Sequence, residues 1–106
     1  MSGLLAITPM KGASAQLYMN DDDHSVYLDG SRCTLTQQEY CLLSELAQTP
    51  DQPVSRQDLL RAAWGYASPG ETRTVDVHVQ RLRKKLGFCA IETVYRFGYR
   101  LRASRR

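Results

Sequence analysis

The chain has 106 residues, of which 42% are hydrophobic and 24% charged, and this balance excludes a disordered or membrane-spanning chain. Its length fits one domain, residues 1–106, with a single core. Residues 1–55 hold two basic residues against seven acidic ones, whereas residues 56–106 hold twelve against four. These balances of −5 and +8 sum to the net charge of +3, and they predict one end that faces a polyanion and another that faces away.

The first third of the chain predicts a sheet. Four short apolar or β-branched runs are separated by turn-forming residues, and they lie at 4–7, 15–19, 25–28 and 32–35. Such runs are typical of a four-stranded antiparallel meander with one face free to cover helices. The polar run 20–24 is expected to form a solvated turn, because it lacks the glycine spacing of a calcium-binding loop.

Two features bear on the environment of the chain. The apolar run 4–7 is too short for a membrane span or a signal-peptide core, so we expect a cytoplasmic protein. Cys33, Cys41 and Cys89 are odd in number and form no CxxC pair. We interpret them as reduced packing residues and expect no metal, cofactor or small-molecule substrate.

Two helices follow the predicted sheet. Thr36 and Glu39 form a capping box, which opens a helix that runs to about Gln48. Ser55 repeats the capping pattern and starts a second helix through Trp64. The residues predicted to face the core are Tyr40, Leu42, Leu43, Leu46 and Ala47 in the first helix, and Leu59, Leu60, Ala63 and Trp64 in the second.

Residues 72–86 predict a third helix with a cationic outer surface. Its apolar stripe has spacings of 4, 3 and 4, and consists of Val75, Val79, Leu82 and Leu86. Opposite the stripe lie Arg73, Val77, Arg81 and Lys84, with Thr74, His78 and Lys85 on one flank and Arg83 beside Asp76 on the other. Thr72 or Thr74 can cap its start and Gly87 its end. This helix suits the DNA major groove, although alone it also fits a solvated surface helix.

The chain closes with a predicted basic hairpin. A β-branched run at 91–94, a turn at 96–98 and a second strand at 99–102 form it, and Arg96, Arg100 and Arg102 keep the charge sign of the helix before it. Helix, turn region, basic helix and hairpin follow one another in the order of a winged helix, a helix-turn-helix variant that binds DNA.

Five linked motifs run through the chain in a fixed order. They are LTQQEY at 35–40 with LL at 42–43, VSRQDLL at 54–60 with WG at 64–65, RTVDVHV at 73–79, RLRKKLG at 81–87, and IETV at 91–94 with GYRL at 98–101. Together they resemble the OmpR/PhoB-type DNA-binding domain of bacterial response regulators over nearly the whole chain. The resemblance implies an α+β winged helix-turn-helix with an N-terminal four-stranded antiparallel sheet (1–35), a three-helix core (36–87), a C-terminal β-hairpin wing (88–102) and a tail (103–106).

The resemblance also implies transcriptional regulation through double-stranded DNA, with helix 72–86 in the major groove and the hairpin near the minor groove. We expect Arg81 to read a base, and Arg73, Arg83 and Lys84 to hold phosphates. His78 is equally compatible with a neutral surface residue. The full set of candidate DNA-binding residues is Arg73, Thr74, His78, Arg81, Arg83, Lys84, Lys85, Thr93, Tyr95 and Arg96.

The wing departs from the family pattern. Members usually have Arg-Gly after Thr-Val, whereas this chain has Tyr95-Arg96. The arginine is shifted by one residue and stands where a glycine would tolerate positive φ. Our hypothesis is that Arg96 still reaches a phosphate from the turn, while Tyr95 packs or hydrogen-bonds at the backbone.

Other partners and other functions remain open at this point. The resemblance implies tandem copies on direct-repeat DNA and a contact between residues 65–71 and RNA polymerase, so a protein-interaction module is the main alternative. The chain lacks GxGxxG, GxxxxGK[ST], HExxH and GxSxG motifs, which argues against an enzyme. RNA is disfavoured because its deep, narrow major groove excludes a helix. An effector domain behind a receiver and a stand-alone regulator both fit the sequence.

Overall fold

An antiparallel sheet of four short strands opens the fold. The computed structural model describes residues 3–7, 15–20, 22–28, 30–65, 71–86 and 91–102, with side chains from Leu17 onward. The strands are β1 (Gly3–Ile7), β2 (Ala15–Asn20), β3 (Ser25–Leu28) and β4 (Ser31–Thr34), and they pair in the order β1-β2-β3-β4. The predicted meander is confirmed, with strand ends displaced by one residue.

Alternation along the strands gives this sheet one buried face. Leu17, Met19 and Val26 are buried in the core, whereas Tyr18 is exposed on the other face. In the turn that follows β2, Asn20 Oδ1 accepts a hydrogen bond from the Asp22 amide at 2.8 Å. The side chain of Asp23 accepts from both the amide and the hydroxyl of Ser25. The described polar residues of this run therefore form the predicted turn.

Helix α1 (Gln37–Gln48) begins with the predicted capping box. Thr36 Oγ1 accepts from the Glu39 amide at 3.2 Å, and the Thr36 amide donates to Glu39 Oε1 at 3.0 Å. Its buried apolar residues are Tyr40, Leu42, Leu43 and Leu46, while Ala47 is partly buried. Glu39 is buried as well, which the apolar pattern does not indicate.

Helices α2 (Arg56–Trp64) and α3 (Arg73–Leu86) complete the core. Ser55 Oγ caps α2 by accepting from the Asp58 amide at 3.1 Å. Leu59 and Leu60 are buried as predicted, whereas Ala63 and Trp64 pack at the core's edge and are only partly buried. The predicted stripe of α3 is confirmed, because all four of its residues are buried. Among the described helices, none is long and apolar enough to cross a membrane.

A second sheet joins the hairpin to the helices. It consists of β5 (Val54–Ser55), β6 (Ile91–Val94) and β7 (Gly98–Leu101), with β7 between the other two. The predicted hairpin is confirmed, but its turn covers 95–97 rather than 96–98, so Gly98 belongs to β7. Gly98 pairs with Ser55, and a Cβ atom there would collide with the Val54 carbonyl oxygen. Only glycine therefore allows β5 to approach β7 this closely.

Four sequence predictions fall on residues outside the described ranges. They concern Gly87 as the end of α3, Cys89 as a packing residue, most of the 65–71 segment and the tail 103–106. Cys33 and Cys41 are described, and both are free, partly buried thiols.

Candidate nucleic-acid interface

The outer face of α3 presents cations that form no ion pair within the described part of the domain. Arg73, Arg81 and Lys84 are exposed, and none forms an ion pair with a carboxylate in the described ranges. This face points to solvent because the apolar stripe on the opposite side of α3 is buried in the core. A helix with its side chains is about 10–12 Å across, which matches the roughly 12 Å width of the major groove.

Val77 lies on the same outer face, and its exposed fraction is 48%. The candidate set drawn from the sequence omits it, although the helical projection already places it opposite the buried stripe. Its stiff β-branched side chain presents methyl groups between the flanking arginines at positions 73 and 81. An apolar contact of this kind suits the methyl group of thymine.

Thr74 and His78 meet on one flank of α3. His78 Nδ1 lies 2.9 Å from the Thr74 carbonyl oxygen, and the His78 ring meets Trp64 edge-on at 4.8 Å between centroids. Because a carbonyl oxygen only accepts, Nδ1 must donate, which leaves Nε2 for another partner. His78 is therefore anchored to α2 and to its own helix, rather than being a detached surface side chain.

Arg83 connects α3 to the first strand of the hairpin. Its Nε and Nη2 atoms donate to the Ile91 carbonyl oxygen at 3.1 and 2.6 Å, and Nη2 also lies 3.1 Å from Thr93 Oγ1. The structure thus brings together Arg83 and Thr93, two predicted DNA contacts, but they bind each other. The sequence places Arg83 beside Asp76, whereas the two side chains bind different partners.

Asp76 forms the second connection between α3 and the hairpin. Its Oδ1 atom accepts from Tyr99 Oη at 2.6 Å and from Arg56 Nε at 2.8 Å. Burial acts to raise the pKa of Asp76, but these two hydrogen bonds outweigh it and lower the pKa below its ordinary value. Burial and the adjacent carboxylate raise the pKa of Tyr99, so its hydroxyl stays protonated and donates.

Lys85 forms an ion pair within the domain. Its Nζ atom donates to Glu39 Oε1 at 2.6 Å, and the Glu39 side chain is only 1% exposed. Burial acts to raise the pKa of Glu39, but the bonds from Lys85 and the Thr36 amide outweigh it, so the net pKa is lowered. The sequence gives no signal for this pair, because 46 residues separate its members.

The turn of the hairpin exposes an arginine between two aromatic residues. Arg96 has φ of 59°, the left-handed region that costs a non-glycine residue about 1–2 kcal/mol. Its guanidinium carbon lies 5.2 Å from the centroid of the Tyr95 ring. Tyr95 is 80% exposed, so it packs against Arg96 and not into the core, and Phe97 is exposed as well.

The other two arginines of the hairpin share one carboxylate. Arg100 Nε donates to Glu92 Oε1 at 2.7 Å, and Arg102 Nη1 donates to Glu92 Oε2 at 2.8 Å. An open groove separates this strand pair from α3, and it is lined by Gln80, Arg83, Lys84, Ile91, Glu92, Thr93 and Arg100. Cations line the helix side of this groove, and the Glu92 carboxylate lies on its hairpin side.

An N-terminal sheet, three helices and a C-terminal hairpin, with a cationic face on the third helix, define a winged-helix domain of the DNA-binding class. The family described as "Transcriptional regulatory protein, C terminal" matches residues 30–101. The chain therefore belongs to this family, the OmpR/PhoB-type domains of bacterial response regulators.

Relatives and solved structures agree with this assignment. The chain is 42% identical over 103 residues to the transcriptional regulatory protein ResD of Bacillus subtilis, an alignment that covers 90% of this chain and 43% of ResD. It thus spans about two fifths of that relative's length. The DNA-binding domain of Bacillus subtilis CssR has a TM-score of 0.73 at 36% identity, with 80% of this chain and 98% of that chain covered. The Klebsiella pneumoniae RstA DNA-binding domain, solved in complex with the RstA box, has a TM-score of 0.72 at 31% identity, covering 92% and 96%.

Proposed function

We propose that this domain binds double-stranded DNA sequence-specifically and regulates transcription in the cytoplasm, either as the effector domain of a two-component response regulator or as a stand-alone regulator. The observation that carries the proposal is the outer face of α3, where Arg73, Arg81 and Lys84 are exposed and form no ion pair within the described ranges. Lys84 also lines the groove beside the hairpin. Cations that bind no partner within the described domain are available to a polyanion.

The roles on α3 follow from side-chain chemistry. Arg81 reads a base, because a guanidinium can donate twice to guanine. Arg73 and Lys84 hold phosphates, which fix the register of the helix without reading sequence. Val77 contacts a thymine methyl, and Thr74 and His78 Nε2 line the flank of the groove.

The hairpin supplies a second contact beside the helix. Arg96 reaches a phosphate from the turn, and the exposed Tyr95 ring lies under its guanidinium, as the cation–π distance of 5.2 Å supports. Thr93 and Arg83 approach the sugar-phosphate backbone of the DNA from the groove between the hairpin and α3, which both residues line. Lys85 acts at longer range, because its ammonium is shared with Glu39.

Selection of duplexes from a random DNA pool tests the proposal, followed by affinity measurements between 50 and 200 mM salt. A protein that neutralises about six phosphates should lose on the order of a thousandfold in affinity over this range. Failure to enrich any sequence would contradict sequence-specific binding. A partner interaction that is insensitive to salt would instead favour a protein-docking module.

The proposal extends to two assemblies. Two copies bind side by side on direct repeats, so the selected duplexes should contain half-sites about one helical turn apart. Residues 65–71 contact RNA polymerase. Enrichment of single, unrepeated sites would exclude the tandem arrangement, and polymerase binding that survives replacement of residues 65–71 would exclude this contact.

A further inference from the structure

Two polar connections tie the hairpin to α3, one for each strand. Arg83 bonds to Ile91 and Thr93 of β6 through its Nε and Nη2 atoms. Tyr99 of β7 donates to Asp76 at 2.6 Å. The helix proposed to enter the major groove is thereby attached to both strands of the wing.

Tyr99 lies at the centre of this cluster. The guanidinium carbon of Arg83 is 5.6 Å from its ring centroid, and that of Arg56 on α2 is 5.2 Å away. Tyr99 is only 3% exposed, so its hydroxyl and ring serve contacts within the domain and not contacts with DNA. Residues from α2, α3 and β7 therefore meet around one buried aromatic ring.

The hairpin needs such support. Each of its strands has four residues, and its turn has three. A hairpin of this size is marginally stable by itself, and β5 contributes only a two-residue strand to its other edge. A wing free to move relative to α3 would lose conformational entropy when it bound DNA, which would weaken its contribution.

We propose that Arg83, Asp76 and Tyr99 are positioning residues for DNA binding, which hold the wing at a fixed distance from α3 so that both engage one duplex together. This inference rests on the proposed DNA-binding function and deepens it. It also reassigns the main role of Arg83 from a phosphate contact to a connection between helix and wing.

Two conservative variants separate positioning from direct contact. Tyr99→Phe removes only a buried hydroxyl. Arg83→Lys keeps the positive charge for any phosphate, but an ammonium cannot reproduce the planar fork that bonds to two acceptors and lies over Tyr99. Tyr40→Phe is the matched control, because it removes another buried tyrosine hydroxyl on α1, away from the hairpin.

The readout is the effect of Arg96→Ala on affinity for the selected duplex, measured in four backgrounds. In the wild-type and Tyr40→Phe backgrounds, Arg96→Ala should weaken binding about tenfold, as expected for one charge-assisted hydrogen bond. In the Tyr99→Phe and Arg83→Lys backgrounds the loss should shrink to about twofold, because a loose wing contributes little. Arg81→Ala on α3 should cost the same factor in every background.

Several outcomes would overturn the positioning role. An equal effect of Arg96→Ala in all backgrounds would do so, and so would no effect in the wild type, since the wing would then deliver no contact. If Tyr99→Phe fails to fold, the Arg83→Lys background decides the question alone. A wild-type protein that enriches no duplex would refute the proposed function together with this inference, whereas the outcomes above refute only the positioning role.

Discussion

The outer face of α3 and the contact zone between α3 and the rest of the domain contain the same basic residue types, but they use them differently. The cations of the outer face are Arg73, Arg81 and Lys84, and they are unpaired within the described ranges. In the contact zone and on the hairpin outside its turn, the cations bind internal acceptors, and they are Arg56, Arg83, Lys85, Arg100 and Arg102. A count of basic residues along the sequence therefore overstates the number of cations that the domain offers to DNA.

Lys84 and Lys85 show the difference most sharply. They are adjacent in sequence, yet one helical step of about 100° separates their directions. Lys84 lines the open groove beside the hairpin, whereas Lys85 neutralises a buried carboxylate on α1. Replacing each lysine by methionine keeps the aliphatic stem and removes only the ammonium, so the two variants form a matched pair.

The largest effect on stability should come from Lys85→Met. Breaking a fully buried ion pair costs about 3–5 kcal/mol, and because the Lys85 side chain is 37% exposed we expect about 2 kcal/mol. Urea unfolding measures this loss in the free energy of unfolding. DNA affinity of the folded variant should stay within about twofold of wild type, because only a long-range charge is lost. A stable variant with a large loss of affinity would place Lys85 on the DNA instead.

Acid should weaken the domain through the same pair. The pKa of Glu39 in the folded domain lies below its ordinary value of 4.5, so its ionised form favours folding. This contribution is present above the unfolded pKa and is lost as pH falls through the folded pKa. The pKa of Asp76 is lowered as well, so its ionised form also favours folding. The free energy of unfolding, measured from pH 7 to pH 3, should decrease below about pH 4.5, and this decrease should be shallower in Glu39→Gln than in wild type. Equal pH dependence in the two proteins would contradict the role of Glu39.

Arg81→Ala should mainly affect recognition. Loss of a bidentate contact to guanine removes about 1–3 kcal/mol of discrimination between the selected base and its alternatives. The free energy of unfolding should change by less than about 0.5 kcal/mol, because Arg81 is exposed and unpaired. Competition between the selected duplex and single-base variants measures the discrimination. Uniform weakening on every sequence would assign Arg81 to a phosphate instead.

Lys84→Met should have the smallest effect. Affinity should fall about equally on all sequences, and the slope of log affinity against log salt should decrease by about 1. The unfolding midpoint should match that of wild type, in contrast to Lys85→Met. A shifted midpoint for Lys84→Met, or an unchanged salt slope, would remove the distinction between the two lysines.

Sequence reasoning succeeded where local signals decide the structure. The capping box at Thr36, the buried stripe of α3 and the order of helix and hairpin all depend on residues a few positions apart. Periodicity also identified which face of α3 is exposed, which is enough to expect Arg73, Arg81 and Lys84 on the outside.

What the sequence could not supply is the identity of partners across the fold. Glu39 and Lys85 meet across 46 residues, and Tyr99 reaches Asp76 across 23. Periodicity gives the direction of a side chain from its own helix, but not the group that lies opposite. Strand β5 was not predicted, because a strand of two residues shows no alternation of apolar and polar residues. The glycine at position 98, which its close approach to β7 requires, is the sequence feature that reflects it.

The salt dependence of DNA affinity tests the central distinction most directly. The double variant Arg73→Met/Lys84→Met removes two unpaired cations from α3, and its slope of log affinity against log salt should decrease by about 1.8. The matched control Glu92→Gln/Arg100→Met removes one cation together with the carboxylate that binds it, which leaves the net charge of the hairpin unchanged, so its slope should stay close to that of wild type. Equal slopes for the two double variants would contradict the account, because paired and unpaired cations would then contribute alike.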